Sequence, residues 1–163
     1  MSSTLPEALR QALRRWASGV TVVTTRHQGR PYGMTVSSLT SVSLDPPYIL
    51  VSLAHEAHTR GAVLAAGFFG VTILAEDQQA LAERFAGQVE GPRRFRGVST
   101  FTLTTGAPLL AEGLAYLDCR VAHTWEIGTH TLVVGAVQAA QTGRHAPPLL
   151  YFNRGYRRLQ LTP

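Results

Sequence analysis

Two long β-rich segments, LAYLDCRVAHTWEIG and THTLVVGAVQAAQTG, follow one another, and only Gly128 and Thr129 turn the chain between them. Strands joined so tightly must pair antiparallel, because a parallel pair needs a crossover of about a dozen residues. They read as strands 114–126 and 129–141. The pattern recurs along the chain. GVTVVTTRHQGRPYGMTVSS gives strands 20–26 and 31–37 around a short loop at His27–Gly29, and YILVSLA gives an apolar strand over 48–54. FFGVTIL reads as a buried strand, 68–74, and PLLYF and YRRLQL form two short strands around Asn153–Gly155.

Helical spacing is confined to three places. Leu5, Leu9, Ala12, Leu13 and Trp16 predict an amphipathic helix over 6–17, with Arg10, Arg14 and Arg15 on its wet side. TRGAVLAAG predicts a second helix from Thr59 that stops at Gly67, and Asp77 is placed to cap a third, QQALAERFAG, where Leu81 and Phe85 share a face. Residues 87–113, rich in Gly, Pro and Arg, read as a long excursion with little core signal. Strands and helices do not alternate regularly, which argues against a doubly wound parallel sheet. The expected fold is mainly β with flanking helices, an antiparallel barrel of seven or eight strands in a single domain, 1–163.

Charge narrows the chemistry. All fifteen cationic residues are Arg, so phosphate-loop and Schiff-base lysines are excluded. Only Asp45, Asp77 and Asp118 could supply a paired-aspartate site, and no GxGxxG, GxxxxGK[ST], HExxH or CxxC occurs. His55 and His58 in HEAH are too thin a signal for a metal, so none is expected. Cys119, between Leu117 and Val121, reads as a core residue rather than a nucleophile. Arg93, Arg94 and Arg96 read as a solvated basic loop, and no nucleic-acid partner is expected. No apolar run approaches the roughly 20 residues of a membrane span, and the amphipathic start lacks a secretory apolar region. Together with the lone cysteine this points to the cytoplasm.

One stretch is left over. GMTVSSLTSVSLDPP carries Thr35, Ser37, Ser38, Thr40, Ser41 and Ser43 before a Pro-Pro corner. Hydroxyls and backbone N–H groups at a strand-to-loop corner can cradle an anion without lysine. HEAHTRG follows the next strand and opens a helix at Thr59, bringing His58, Arg60 and a helix N-terminus to the same neighbourhood. The alternative is that Thr59 caps its helix and Ser37 and Ser38 satisfy turn backbone.

At this point the chain resembles the short-chain flavin reductases of the FMN-binding split-barrel superfamily, reductase components of two-component flavin monooxygenases. The resemblance runs through RWASGVTVVTT, GMTVSSLTSVSLDPPYILVSL, HTRGAVLAAGFFGVTIL, ALAERFAG, RRFRGV, GAPLLAEGLAYLDCRV, GTHTLVVGAV and PLLYFNRGYRRL, in that order. It implies a split barrel, FMN or FAD as flavin, NADH or NADPH as hydride donor, a homodimer that uses barrel strands and the 87–113 excursion, and a monooxygenase partner. It further implies that Thr35, Val36, Ser37 and Ser38 follow the flavin ring toward its phosphate. Ser52 and Leu53 would lie near the ring or ribityl chain, His58 and Thr59 at the phosphate, and Phe85 with Ala86 near the flavin. Tyr151 would approach the pocket from the C-terminal end. His130, on the nicotinamide side, is the residue implied in catalysis. Two positions depart from the family pattern: Thr129 replaces the Asp of GDH, and Ala57-His58-Thr59 replaces Ser-x-Thr. A non-catalytic flavin-binding split barrel is the alternative, as is an oxidase like the pyridoxamine-phosphate oxidases. The latter would call for lysine at the phosphate.

Overall fold

The computed structural model describes residues 4–88 and 91–160. Its first element, α1 (Leu5–Leu13), ends four residues before the predicted boundary of 17. Arg15 and Trp16 donate their N–H groups three residues back, to Ala12 at 3.0 Å and Leu13 at 3.1 Å, which tightens the last turn and swings the chain toward β1 (Ser18–Gly19). The apolar stripe of α1 does not meet the core: Leu5, Leu9, Leu13 and Trp16 are all more than half exposed.

The chain continues through β2 (Thr21–His27), β3 (Arg30–Val36), β4 (Thr40–Leu44) and β5 (Pro47–Ala54). Helix α2 (His58–Ala66) ends on Gly67, whose φ of 76° is the left-handed conformation a C-terminal glycine supplies. Next come β6 (Phe68–Ile73), the short α3 (Gln79–Glu83), and two small strands, β7 (Thr100–Phe101) and β8 (Leu109–Leu110). The long hairpin β9 (Ala115–Ile127) and β10 (His130–Thr142) precedes a short one, β11 (Leu149–Phe152) and β12 (Gly155–Arg158). The described residues thus form twelve strands, more than expected, because β1, β4, β7 and β8 carry too little apolar periodicity to read from sequence. Leu161, the predicted end of the last strand, lies outside the described residues.

Seven strands form one antiparallel sheet in the order β3-β2-β6-β9-β10-β5-β4. Val36 from one end of it and Ile49 and Val51 from near the other share a core with Phe69, Val71 and Val133. The sheet therefore curls on itself, yet β3 and β4 stay unpaired with each other, which makes a split barrel. Register shifts at Val134/Gly135 and Val137/Ala139 bend the long hairpin around this core. Gly135 lies at that bend because a Cβ there would come within 2.5 Å of the Phe69 ring.

Two expectations need correction. The excursion after Gly87 carries core after all: Ala107, Leu109 and Leu110 are fully buried, and Leu110 packs with Val20, Val22, Phe85 and Leu149 in a second cluster. Buried Asp118 anchors it, accepting the backbone N–H groups of Thr104 at 2.6 Å and Thr105 at 2.7 Å and the Thr105 hydroxyl. Asp77 is not the cap preceding α3. Gln78 Oε1 accepts the Ala75 N–H at 2.9 Å, and Asp77 pairs with Arg144.

Candidate functional site

A cavity of about 780 Å³ opens where β3, the start of α2, the segment after α3 and the turn Gly91–Phe95 converge. Gly33 makes the convergence possible. A Cβ at this position would meet Phe85 Cε1 at 2.7 Å and Phe95 Cζ at 3.1 Å, so only glycine lets the two rings lie on the β3 backbone. Those rings meet edge to face, 5.0 Å apart. Arg94 Nη1 donates to the Gly33 carbonyl at 2.7 Å, and the Thr35 hydroxyl donates to the Ala82 carbonyl at 2.6 Å. Strand, helix and turn are thus fastened around the cavity by bonds that leave Thr35 able to accept another.

The opposite rim is the start of α2. Its N-cap is Ala57, which has no side chain to cap with, and Thr59 is buried inside the first turn. The alternative in which Thr59 caps the helix is therefore not what forms. His58 and Thr59 line the cavity together with Arg93 and Arg94, so a hydroxyl, uncapped helix N–H groups and two guanidinium groups border one space. Met34, Phe85 and Ala86 give it apolar surface. The pair Arg93 and Arg94, expected as a solvated loop, is part of this wall. The FAG and RRF segments lie only a few residues apart in sequence, which was the available signal.

Of the residues singled out from sequence, Thr35, His58, Thr59, Phe85 and Ala86 line the cavity. Val36 and Leu53 belong to the barrel core. Ser37 is exposed at the bend after β3. Ser38 is engaged with Ser52: its Oγ accepts the Ser52 N–H at 2.9 Å and donates to the Ser52 carbonyl at 3.1 Å. Part of the hydroxyl excess is therefore a latch between the chain after β3 and β5. Tyr151 lines a different cavity, of about 520 Å³, with Trp16, Leu13 and Arg14. His130 is exposed at the tip of the long hairpin, opposite Ala54, with its Nδ1 2.9 Å from the Thr129 hydroxyl.

Arg60 does not line this cavity; it is turned to the Glu126 carboxylate instead. Its Nε donates to Thr131 Oγ1 at 2.7 Å and its Nη2 to Glu126 Oε1 at 2.9 Å. Desolvation pulls the Glu126 carboxyl upward, but hydrogen bonds from Thr131, Arg60 and His55 outweigh it and hold the group below the usual glutamate value. Burial, helped by Asp118, pushes the Cys119 thiol up to about 12, so it is no nucleophile. Among the described residues no three His, Cys, Asp or Glu side chains gather as a metal site. The cavity offers an apolar face, hydroxyls and cationic groups, which suits holding a flat ligand with an anionic end.

Residues 13–160 match the flavin reductase like domain. The reductase component of 4-hydroxyphenylacetate 3-monooxygenase from Thermus thermophilus is 39% identical over 155 residues, covering 95% of this chain and 97% of that protein. An NADH-dependent flavin reductase from Rhodococcus sp. is 40% identical over 159 residues, 96% of this chain and 88% of that one. The solved NADH:FAD oxidoreductase SgcE6 of Streptomyces globisporus, in complex with NAD and FAD fragments, superposes with a TM-score of 0.88 at 31% identity, covering 98% of both chains.

Proposed function

The chain belongs to the flavin reductase like family, and from that premise we propose that it is an NADH:flavin oxidoreductase. It transfers a hydride to FMN or FAD and supplies reduced flavin to a separate monooxygenase component. The observation that carries this reading is the cavity itself. It joins an apolar wall of Met34, Phe85 and Ala86 to an anion-favouring rim of Thr35, Thr59, Arg93 and Arg94, as a planar ring with a phosphate tail requires.

When bound, flavin and nicotinamide supply the redox chemistry themselves. The chain's task is to hold and orient. Thr59, the α2 N-terminus and the arginines of the Gly91–Phe95 turn receive the phosphate. The Phe85 ring and β3 set the plane of the ring system, and the excursion over the cavity restricts water. His130, at the hairpin tip, orients the nicotinamide. No nucleophile is needed, in keeping with the inert Cys119.

The working unit of this reading is a cytoplasmic homodimer. Helix α1, at nine residues, is shorter than the roughly 12 residues below which an isolated helix is marginal in water, and its exposed leucine stripe gives a second copy something to cover. No helix among the described residues is long and apolar enough to cross a membrane. Fluorescence quenching of FMN and of riboflavin by the protein tests the assignment of the cavity. FMN is expected to bind about tenfold tighter than riboflavin, the worth of a charge-assisted hydrogen bond or two. Equal affinity would remove the phosphate from the rim.

A further inference from the structure

Beyond the cavity, one cluster of side chains joins segments that the backbone leaves loosely connected. The ladder between β10 and β5 ends at the His130–Ala54 pair. Past it, the His55 N–H donates to the Thr129 carbonyl at 3.0 Å. From there to α2, side chains make the link. Glu126, at the end of β9, accepts from Arg60 of α2 at 2.9 Å, from Thr131 of β10 at 3.0 Å on each oxygen, and lies 2.5 Å from His55 Nε2. Arg60 closes the ring by donating to Thr131 at 2.7 Å.

We infer that Glu126 is a positioning residue that fixes the hairpin tip bearing His130 against the segment bearing His58 and Thr59; its effect on turnover rests on the reductase reading above. Three side chains, His55, Arg60 and Thr131, converge on one carboxylate, so its loss removes three links at once and leaves only the Arg60–Thr131 bond and the His55 backbone bond across the gap. Glu126 has a second effect. It turns Arg60 toward the hairpin and neutralises it, so anion recognition falls to Arg93 and Arg94 on the far rim. Its own side chain is 55% exposed and Arg60's only 24%, so the pair sits at the surface, where a solvated ion pair adds little to global stability. The consequence is local: the separation of the two sides of the nucleotide-binding region.

Glu126→Ala and Glu126→Gln test this in the full-length protein. Amide hydrogen exchange in the hairpin tip and in residues 55–60 is expected to speed up in Glu126→Ala. The KM for NADH is expected to rise about fivefold, the scale of a small network of exposed charges, while kcat stays within about twofold and FMN affinity, which Arg93 and Arg94 also support, falls by less than the KM for NADH rises. Glu126→Gln keeps an acceptor for Thr131 and Arg60 and is expected to fall between wild type and Glu126→Ala. Unchanged exchange in Glu126→Ala would overturn the clamp. Faster exchange with an unchanged KM for NADH would overturn the positioning role, as would equal losses in NADH and flavin binding. A wild-type protein that shows the exchange difference against Glu126→Ala but oxidises no NADH would overturn the reductase reading and the positioning role, while the clamp itself would stand.

Discussion

Gly33 and Arg93 show how single residues set the site. Gly33→Ala would force its new methyl group to within 2.7 Å of Phe85, and Phe85 cannot retreat because Phe95 is packed against it. Overpacking of this kind costs about 1–3 kcal/mol, so urea unfolding should show a lower midpoint for Gly33→Ala, together with weakened flavin binding as Phe85 is displaced. Arg93 is exposed, so Arg93→Ala should leave stability nearly unchanged. FMN binding should weaken by about tenfold while riboflavin binding stays the same, since only the phosphate gains from the guanidinium. The sequence made His58, Thr59, Phe85 and Ala86 visible because the resemblance implies a flavin contact at each of those positions, and for RRFRGV it implies none. It hid Arg93 and Arg94 because a basic, glycine-flanked stretch looks the same whether it faces water or a cavity. What distinguishes them is the Arg94 bond to Gly33, a contact between residues 61 positions apart.

At the scale of elements, the excursion after α3 depends on one buried carboxylate. Asp118→Ala would take the acceptor from the N–H groups of Thr104, which is exposed, and Thr105, which is half-buried, at a cost of about 1 kcal/mol for each bond lost. Limited proteolysis should then cut near residue 104 at protease levels that spare the wild type. The predicted lack of core in this segment was wrong for a physical reason. Leu109 and Leu110 adjoin each other in a two-residue strand, too short for any period to show, and it is Asp118 in another strand that brings them inward. Asp77 and Arg144 join the start of α3 to the end of β10. The hydrogen bond from Arg144 holds the Asp77 carboxyl below its ordinary 3.8. The pair therefore contributes fully above that value, and its contribution is lost as pH falls through the lower, folded-state value. Asp77 is exposed and Arg144 half-buried at the surface, so Asp77→Asn should lower stability by less than about 1 kcal/mol at neutral pH, with the difference from wild type vanishing in strong acid.

For the whole molecule, the barrel was legible because tight connections determine pairing: Gly128–Thr129 and the Gln28–Gly29 turn each oblige their flanking strands to be neighbours. The order of the full sheet was not legible, since β6 inserts between β2 and β9 through contacts distant in sequence. Nor was the fate of α1, whose amphipathic pattern predicts burial but leaves open against what. If a second copy covers it, Leu9→Glu with Leu13→Glu should convert a sedimenting dimer to monomer without loss of secondary structure. The cavity opens between the unpaired edge of the split barrel at β3 and the start of α2. The most direct measurement is the loss of NADH absorbance with purified protein, with and without added FMN, FAD or riboflavin. Oxidation that depends on added flavin and saturates with it is the expected result. Neither turnover nor flavin binding, under conditions where the protein is folded, would contradict the assignment.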